Sequence, residues 1–236
     1  MVVMNSTLAS MQHQGLIFNA KAQSEQAESC PLTYTPTGFS ELDALLQGGW
    51  PDAGVISVFS QPAIGEFRLL QALLSAQQSG LIILINPPAE PCAHWLAQLQ
   101  IASERVVILR PKSDSEALWA AEQCARSSSC ALIWLWQEGL SFTQVRRFNL
   151  ACQQSQAVLV LLSYSTQPCS LPVQLSVHIL PSDSGLTVRL LRQQGRFASG
   201  EVHLRRTQLW PFLHYSDLHQ AFKGGDNEPL QHVEVG

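Results

Sequence analysis

Charged residues are scarce in this chain of 236 residues. Only 14% of them are Asp, Glu, Lys or Arg, whereas 46% are hydrophobic, and the formal net charge is −4. Soluble globular proteins usually carry more charge than this. We therefore expect a partner to cover part of the surface, and the alternative is poor solubility of the isolated chain.

The few charges are unevenly placed. The net charge is −4 over residues 1–53, +3 over residues 54–206 and −3 over residues 207–236. A protein that binds duplex DNA through the phosphates needs a concentrated basic surface. A mildly basic centre between two acidic flanks does not indicate such a protein, so direct contact with DNA stays open.

Long apolar runs and paired cysteine motifs are also missing. The longest apolar run, 157–162, is too short to cross a bilayer, and the first residues lack the basic and apolar parts of a signal peptide. The six cysteines form no C-x-x-C motif. In a chain of this size without an export signal, we expect reduced, mostly buried thiols. These features predict a cytoplasmic protein without membrane contact.

Short apolar segments alternate with amphipathic segments along most of the chain. This pattern predicts an α/β fold in which helices cover both faces of a parallel sheet. After residue 172, shorter runs separated by turn residues predict an antiparallel extension. Ser40, Ser113 with Glu116, and Ser141 with Gln144 are expected to cap helices. The predicted strands are 55–59, 81–85, 106–109, 132–136, 158–162, 173–180, 186–192 and 201–206.

Composition divides the chain into three parts. Residues 1–30, rich in Gln, Ser and Ala, are predicted to form a flexible arm. Residues 31–206 form the predicted core, and residues 207–236 form a tail in which one apolar cluster, 209–213, precedes a polar stretch expected to be disordered.

A strand, a glycine-containing loop and a helix follow one another over residues 54–74. This is the setting of a phosphate-binding loop with the pattern G-x-x-x-x-G-K-[ST]. The corresponding positions here are Ser60, Gly65, Glu66 and Phe67. Glu66 stands in place of the lysine that contacts phosphates, and Phe67 in place of the hydroxyl that holds magnesium. Losing one contact between unit charges removes roughly 4 kcal/mol of attraction. We interpret the loop as degenerate and predict no bound cofactor.

Other positions that an ATPase needs are also altered. A strand that should end in an acidic residue reads Trp134-Leu135-Trp136, whose two tryptophans share one face and are expected in the core. RecA-like ATPases have a catalytic Glu just after the second strand, and here that place, after the predicted strand 81–85, reads Asn86-Pro87-Pro88. Cys92 and His94 lack the second ligand pair of a metal site. We predict no catalytic residues, no metal and no enzymatic activity.

Several segments closely match proteins related to RecA. They cover roughly residues 36–206 and read PTGFSELDALLQGGWP, GEFRLL, ILINPPAEP, VVILRPKSDSEALWAAEQCARSSSCALIWLW and LTVRLLRQQGR. The order of these segments resembles the ImuA family, RecA-like accessory proteins of bacterial inducible mutagenesis that are related to the cell-division inhibitor SulA. The middle segments fit both relatives. The first and the last segment fit ImuA, because chains of the SulA type are shorter and lack them.

The resemblance implies a non-enzymatic RecA-like protein of the SOS DNA-damage response. Such a protein would bind RecA and an ImuB-type polymerase homologue and support error-prone translesion synthesis. Two alternatives stay open: a SulA-like inhibitor of cell division that binds FtsZ, and a protein with residual nucleotide binding.

Candidate partner-binding residues come from three places. Ile17 and Phe18 lie in a short apolar island, and RecA-type proteins use a similar island on an N-terminal arm to dock on a neighbouring core. Trp50 is either an exposed anchor or a residue packed in its turn. The arginines of the C-terminal hairpin could contact an acidic partner or nucleic acid, or they could simply be solvated; the candidates there are Arg189, Arg192 and Arg205.

Overall fold

The fold was analysed in a computed structural model, which describes residues 33–77, 79–165, 170–195 and 199–211. The chain divides into two units, residues 1–33 and 34–236, and the strands and helices of the fold belong to the second. The predicted arm with Ile17 and Phe18, and the part of the tail beyond residue 211, lie outside the described residues.

The centre of the fold is a sheet of eight strands. Two further strands pair as a small antiparallel sheet near the start of the unit: β1 (Tyr34–Thr35) and β2 (Trp50–Pro51). The main sheet contains β3 (Gly54–Phe59), β4 (Leu81–Ile85), β5 (Val106–Leu109), β6 (Cys130–Trp136), β7 (Val158–Ser163), β8 (Leu175–Ser182), β9 (Gly185–Gln193) and β10 (Gly200–Arg205).

The strand order across the main sheet is β10-β9-β8-β3-β7-β6-β4-β5. Strands β3 to β8 pair in parallel, and β9 and β10 add to β8 as an antiparallel hairpin. The predicted parallel α/β fold with an antiparallel extension is therefore confirmed.

Helices cover both faces of this sheet, because side chains of successive strand residues point to opposite faces. Ile56, Leu84 and Trp134 belong to one buried cluster, and Val55 and Ile85 belong to the other. The first cluster packs against α1 (Ser40–Leu46), α2 (Glu66–Ala76), α3 (Ala93–Gln98) and the short α6 (Arg206–Leu209), and the second against α4 (Asp114–Arg126) and α5 (Phe142–Ser155).

The predicted helix caps have different outcomes. Ser141 and Gln144 form the complete capping box at α5. Ser113 accepts the Glu116 N–H, but the Glu116 carboxyl accepts the Lys112 N–H instead of completing the box. Ser40 is the first residue of α1 rather than its cap, so that expectation was wrong. Phe39 is the N-cap residue instead, and in the preceding turn Asp43 accepts the Thr37 N–H at 2.7 Å.

The core extends past residue 206, beyond the predicted boundary. Leu209 is fully buried and Trp210 packs against the same cluster. Among the described residues, no helix is long and apolar enough to cross a membrane.

Candidate functional site

The degenerate phosphate loop lies at the carboxyl end of β3, between that strand and α2. Open parallel sheets bind ligands at this edge. Ser60 donates its N–H to the Ser163 carbonyl at 3.0 Å, which holds the start of the loop against β7. Its hydroxyl is buried and has no hydrogen-bond partner in the described part of the chain. The loop therefore keeps the position of a nucleotide site.

The carboxyl group of Glu66 bonds to its own loop. Glu66 is fully buried, and its Oε2 accepts the Gly65 N–H at 3.1 Å. Tyr164 donates its hydroxyl to Oε1 at 3.4 Å. A phosphate loop offers such an amide to the ligand. Here the amide at the start of α2 is already paired within the chain.

Trp210 covers the other side of the same glycine. Gly65 has φ +106°, which favours glycine, and a Cβ placed there would lie 2.6 Å from the Trp210 ring. The indole is therefore in direct contact with the loop backbone. The C-terminal segment, which sequence analysis placed in a tail, is part of the candidate site.

Aromatic rings occupy the positions that hold magnesium in an ATPase. Phe67 stacks on Trp134 with ring centroids 5.4 Å apart, and Trp136 completes the cluster at 6.0 Å from both rings. This places both tryptophans in the core, as predicted. Three rings supply no oxygen ligand for a hard cation such as Mg²⁺.

Tyr164 connects this aromatic cluster to Glu66. Trp136 donates its indole N–H to the Tyr164 oxygen at 3.2 Å. Burial raises the pKa of the Tyr164 hydroxyl, and the neighbouring Glu66 raises it further. The hydroxyl thus keeps its proton and donates a hydrogen bond to Glu66. Sequence analysis missed Tyr164, because only the fold brings the end of β7 next to the loop.

A cavity of about 330 Å³ opens at the carboxyl ends of β4, β6 and β7. Asn86, Asp114, Glu138 and Tyr164 are among the residues that line it. No group of three His, Cys, Asp or Glu residues that could hold a metal occurs within the described ranges. Cys92 and His94 are both exposed, at the start of α3.

Trp50 is not a surface anchor. It is completely buried, and its Nε1 donates to the Leu69 carbonyl of α2 at 3.1 Å. A buried indole that already has an acceptor packs the core. We therefore withdraw Trp50 as a partner-binding candidate, and its packed interpretation is correct.

The candidate arginines of the C-terminal hairpin are exposed, and one of them is paired with an acidic residue. Arg189 on β9 contacts Glu201 on β10 with two nitrogens, each 3.1 Å from the same oxygen. Arg192 and Arg205 are exposed on the same hairpin. The Arg189–Glu201 pair reduces the net positive charge of this surface, and a role in partner binding stays a prediction.

Comparison with known proteins identifies a structural neighbour but no family. No protein-family model matches the chain, and no curated protein matches it. Among solved structures, SulA from Pseudomonas aeruginosa is similar, with 25% identity and a TM-score of 0.39. The alignment covers 47% of this chain and 98% of the SulA chain. At this TM-score the similarity is not used to assign the fold or the site, which follow from the geometry described above.

Proposed function

We propose that this protein is a non-catalytic, RecA-like docking protein that works without a bound nucleotide. One observation carries the proposal: the Glu66 carboxyl accepts the Gly65 N–H beneath the Trp210 ring. The loop amide is satisfied within the chain, and Phe67 stands where a phosphate loop has its magnesium-holding hydroxyl. The scaffold of a nucleotide-binding protein is thus available for binding other proteins.

We further propose that it acts in the SOS response to DNA damage. The resemblance to ImuA supports binding of RecA and of an ImuB-type polymerase homologue during error-prone translesion synthesis. The low content of charged residues also supports a surface partly covered by partners. No nucleic-acid contact is part of this proposal.

Nucleotide titration tests the non-catalytic role. The purified chain should show no saturable binding of ATP, with or without magnesium, in equilibrium dialysis. Trp210→Ala alone should not restore it, because Glu66 and Phe67 remain. Saturable, magnesium-dependent binding to the unmodified chain would overturn the proposal in favour of residual nucleotide binding.

Co-purification tests the proposed partners. A tagged chain recovered from DNA-damaged cells should carry RecA and the polymerase homologue, and cells that overproduce it should still divide. The alternative is a SulA-like inhibitor that binds FtsZ, for which the shared middle segments are the support. Filamentous cells together with recovered FtsZ would favour that alternative and reject the translesion role.

A further inference from the structure

Two adjacent cavities lie along α2, α3 and the turn at residues 209–211. The first, about 260 Å³, lies over β4 and β6. The second, about 560 Å³, reaches Leu209 and Trp210. Phe67 and Trp95 line both cavities, so the two lie next to each other. We call this surface the aromatic groove.

The two ends of the aromatic groove differ in chemistry. The first cavity is lined almost entirely by carbon, including Trp134, Trp136 and the prolines of residues 87–91. Its charged lining residue is Glu90, which already faces Arg110 at 3.6 Å. A dry aromatic cavity with a charged rim is the form that protein–protein anchor sites take.

Arg68 gives the second cavity its charge. The other lining residues reported for this cavity are uncharged, with Gln71 and Gln98 as the polar ones. Arg68 donates to the Leu209 carbonyl at 2.6 Å and to Gln71, which fixes its position without neutralising it. No acidic group pairs with it in the part of the chain that the structure describes. A fixed cation of this kind favours an acidic group in the ligand.

Trp134 is a residue of the first cavity with an unpaired polar group. Its ring lines the first cavity, it is 2% exposed, and its Nε1 has no acceptor among the described residues. A buried donor without an acceptor costs about 1–3 kcal/mol. An acceptor such as a backbone carbonyl would remove this cost if it reached the buried nitrogen.

We propose that the aromatic groove binds a short amphipathic segment of a partner protein, with apolar side chains in the first cavity and an acidic side chain beside Arg68. A compact apolar molecule would use only the carbon-lined end. A segment of several residues uses both ends and brings backbone carbonyls with it. This inference rests on the proposed docking role and adds the surface and the chemistry of the partner.

Selection of peptides tests the inference. Random peptides of about 12 residues would be displayed and selected on the full-length chain. Enriched sequences should combine two apolar residues with an acidic one. Binding can be followed with a fluorophore on Cys92, which is exposed at the wall of the first cavity, in a chain carrying Cys30→Ser and Cys169→Ser. Selection that yields no binder, or sequences with basic in place of acidic residues, would overturn the inference.

Two pairs of variants locate the binding site. Ala89→Arg fills the first cavity from an exposed position, and Ala97→Arg adds the same charge at an exposed position of α3 that does not line the groove. The first should weaken binding about tenfold or more and the second by less than about twofold. Arg68→Gln should lose affinity for acidic peptides only, whereas Arg146→Gln on α5 should change nothing.

The controls separate this inference from the docking role. Equal affinities of Ala89→Arg and Ala97→Arg for the selected peptides would reject the groove, while co-purification of partners would still support docking. If Ala89→Arg instead changed the oligomeric state in sedimentation, the groove would hold a second copy of the chain and the inference would be wrong. Circular dichroism of each variant confirms that it is folded.

Discussion

Glu66 stands where a phosphate loop has its lysine, and its carboxyl group bonds to the backbone of its own loop. The first N–H groups of a helix have no partner within the helix and need an acceptor. In a nucleotide-binding loop a phosphate supplies it, and here the carboxyl group supplies it from within the chain. Stability of the loop no longer depends on a ligand.

Replacing Glu66 should therefore destabilise the fold. Glu66→Ala leaves the Gly65 N–H without an acceptor, which should lower the free energy of unfolding by about 1–3 kcal/mol. Glu66→Gln keeps an acceptor oxygen and should cost less. Urea unfolding monitored by tryptophan fluorescence measures both. A glutamine variant as unstable as the alanine variant would contradict the assigned hydrogen bond.

Gly65 is the second loop residue whose substitution should destabilise the fold. Gly65→Ala should lower the free energy of unfolding by about 2–4 kcal/mol, from backbone strain and from collision with Trp210. Gly139→Ala is the matched control, because Gly139 has φ +69° and open space around it. It should show the strain alone, about 1–2 kcal/mol.

The contact with Trp210 can be isolated in a double mutant. In a Trp210→Ala background, Gly65→Ala should cost no more than the Gly139→Ala control, because the collision has been removed. An undiminished cost in that background would show that the ring does not lie on the glycine.

Helices α4 and α5 are joined by one buried carboxyl group. Glu122 on α4 is 8% exposed and contacts Arg147 on α5, and Arg126 lies 2.6 Å from its other oxygen. The hydrogen bond from Arg147 is the main cause that holds the pKa of Glu122 below its ordinary value of 4.5, and Arg126 adds to it. The pairing thus fixes the two helices to each other only while Glu122 is ionised.

This pairing predicts a pH dependence of stability. A carboxyl group with a lowered folded-state pKa stabilises the fold above about pH 4.5 and loses that contribution as the pH falls through the folded-state pKa. Glu122→Gln should lower the free energy of unfolding by about 1–2 kcal/mol at pH 7, a modest value because both arginines are largely exposed. The stability of this variant should also fall less steeply as the pH is lowered. Glu104→Gln, at an exposed position, should leave the profile unchanged. Parallel profiles for wild type and Glu122→Gln would refute the pairing.

The last described segment, residues 206–211, packs back onto the core. Residues 206–211 cross back to the phosphate loop, where Leu209 enters the core and Trp210 covers Gly65. Arg68 holds this return by donating to the Leu209 carbonyl. Because this contact joins residues far apart in the chain, we expect the loop and the core to unfold together.

Truncation measures the contribution of this segment. A chain ending at Arg205 should have a free energy of unfolding at least about 3 kcal/mol lower than one ending at Pro211, because it loses the fully buried Leu209 and the partly buried Trp210. Leu191→Ala, at a partly exposed leucine of β9, is the control and should cost much less. Equal urea midpoints of the two truncated chains would show that residues 206–211 do not pack on the core.

Sequence patterns identified most elements to within one or two residues. The alternation of apolar strands with amphipathic helices is a local property, and it is sufficient to predict a parallel sheet with covered faces. The missing lysine and hydroxyl of the phosphate loop are also local. Trp50 shows what local patterns leave open. An indole beside two glycines and a proline suits a surface turn as well as a core, and only its hydrogen bond to Leu69 shows that it is in the core.

The sequence alone determined the order of the elements and the loss of nucleotide-binding groups, because both depend on residues adjacent in the chain. The tertiary structure alone decided what replaced those groups. Tyr164 and Trp210 reach the loop from distant segments, and the aromatic groove exists only where α2, α3 and the C-terminal turn meet. Such contacts follow from the packing of the whole chain, which no local pattern specifies.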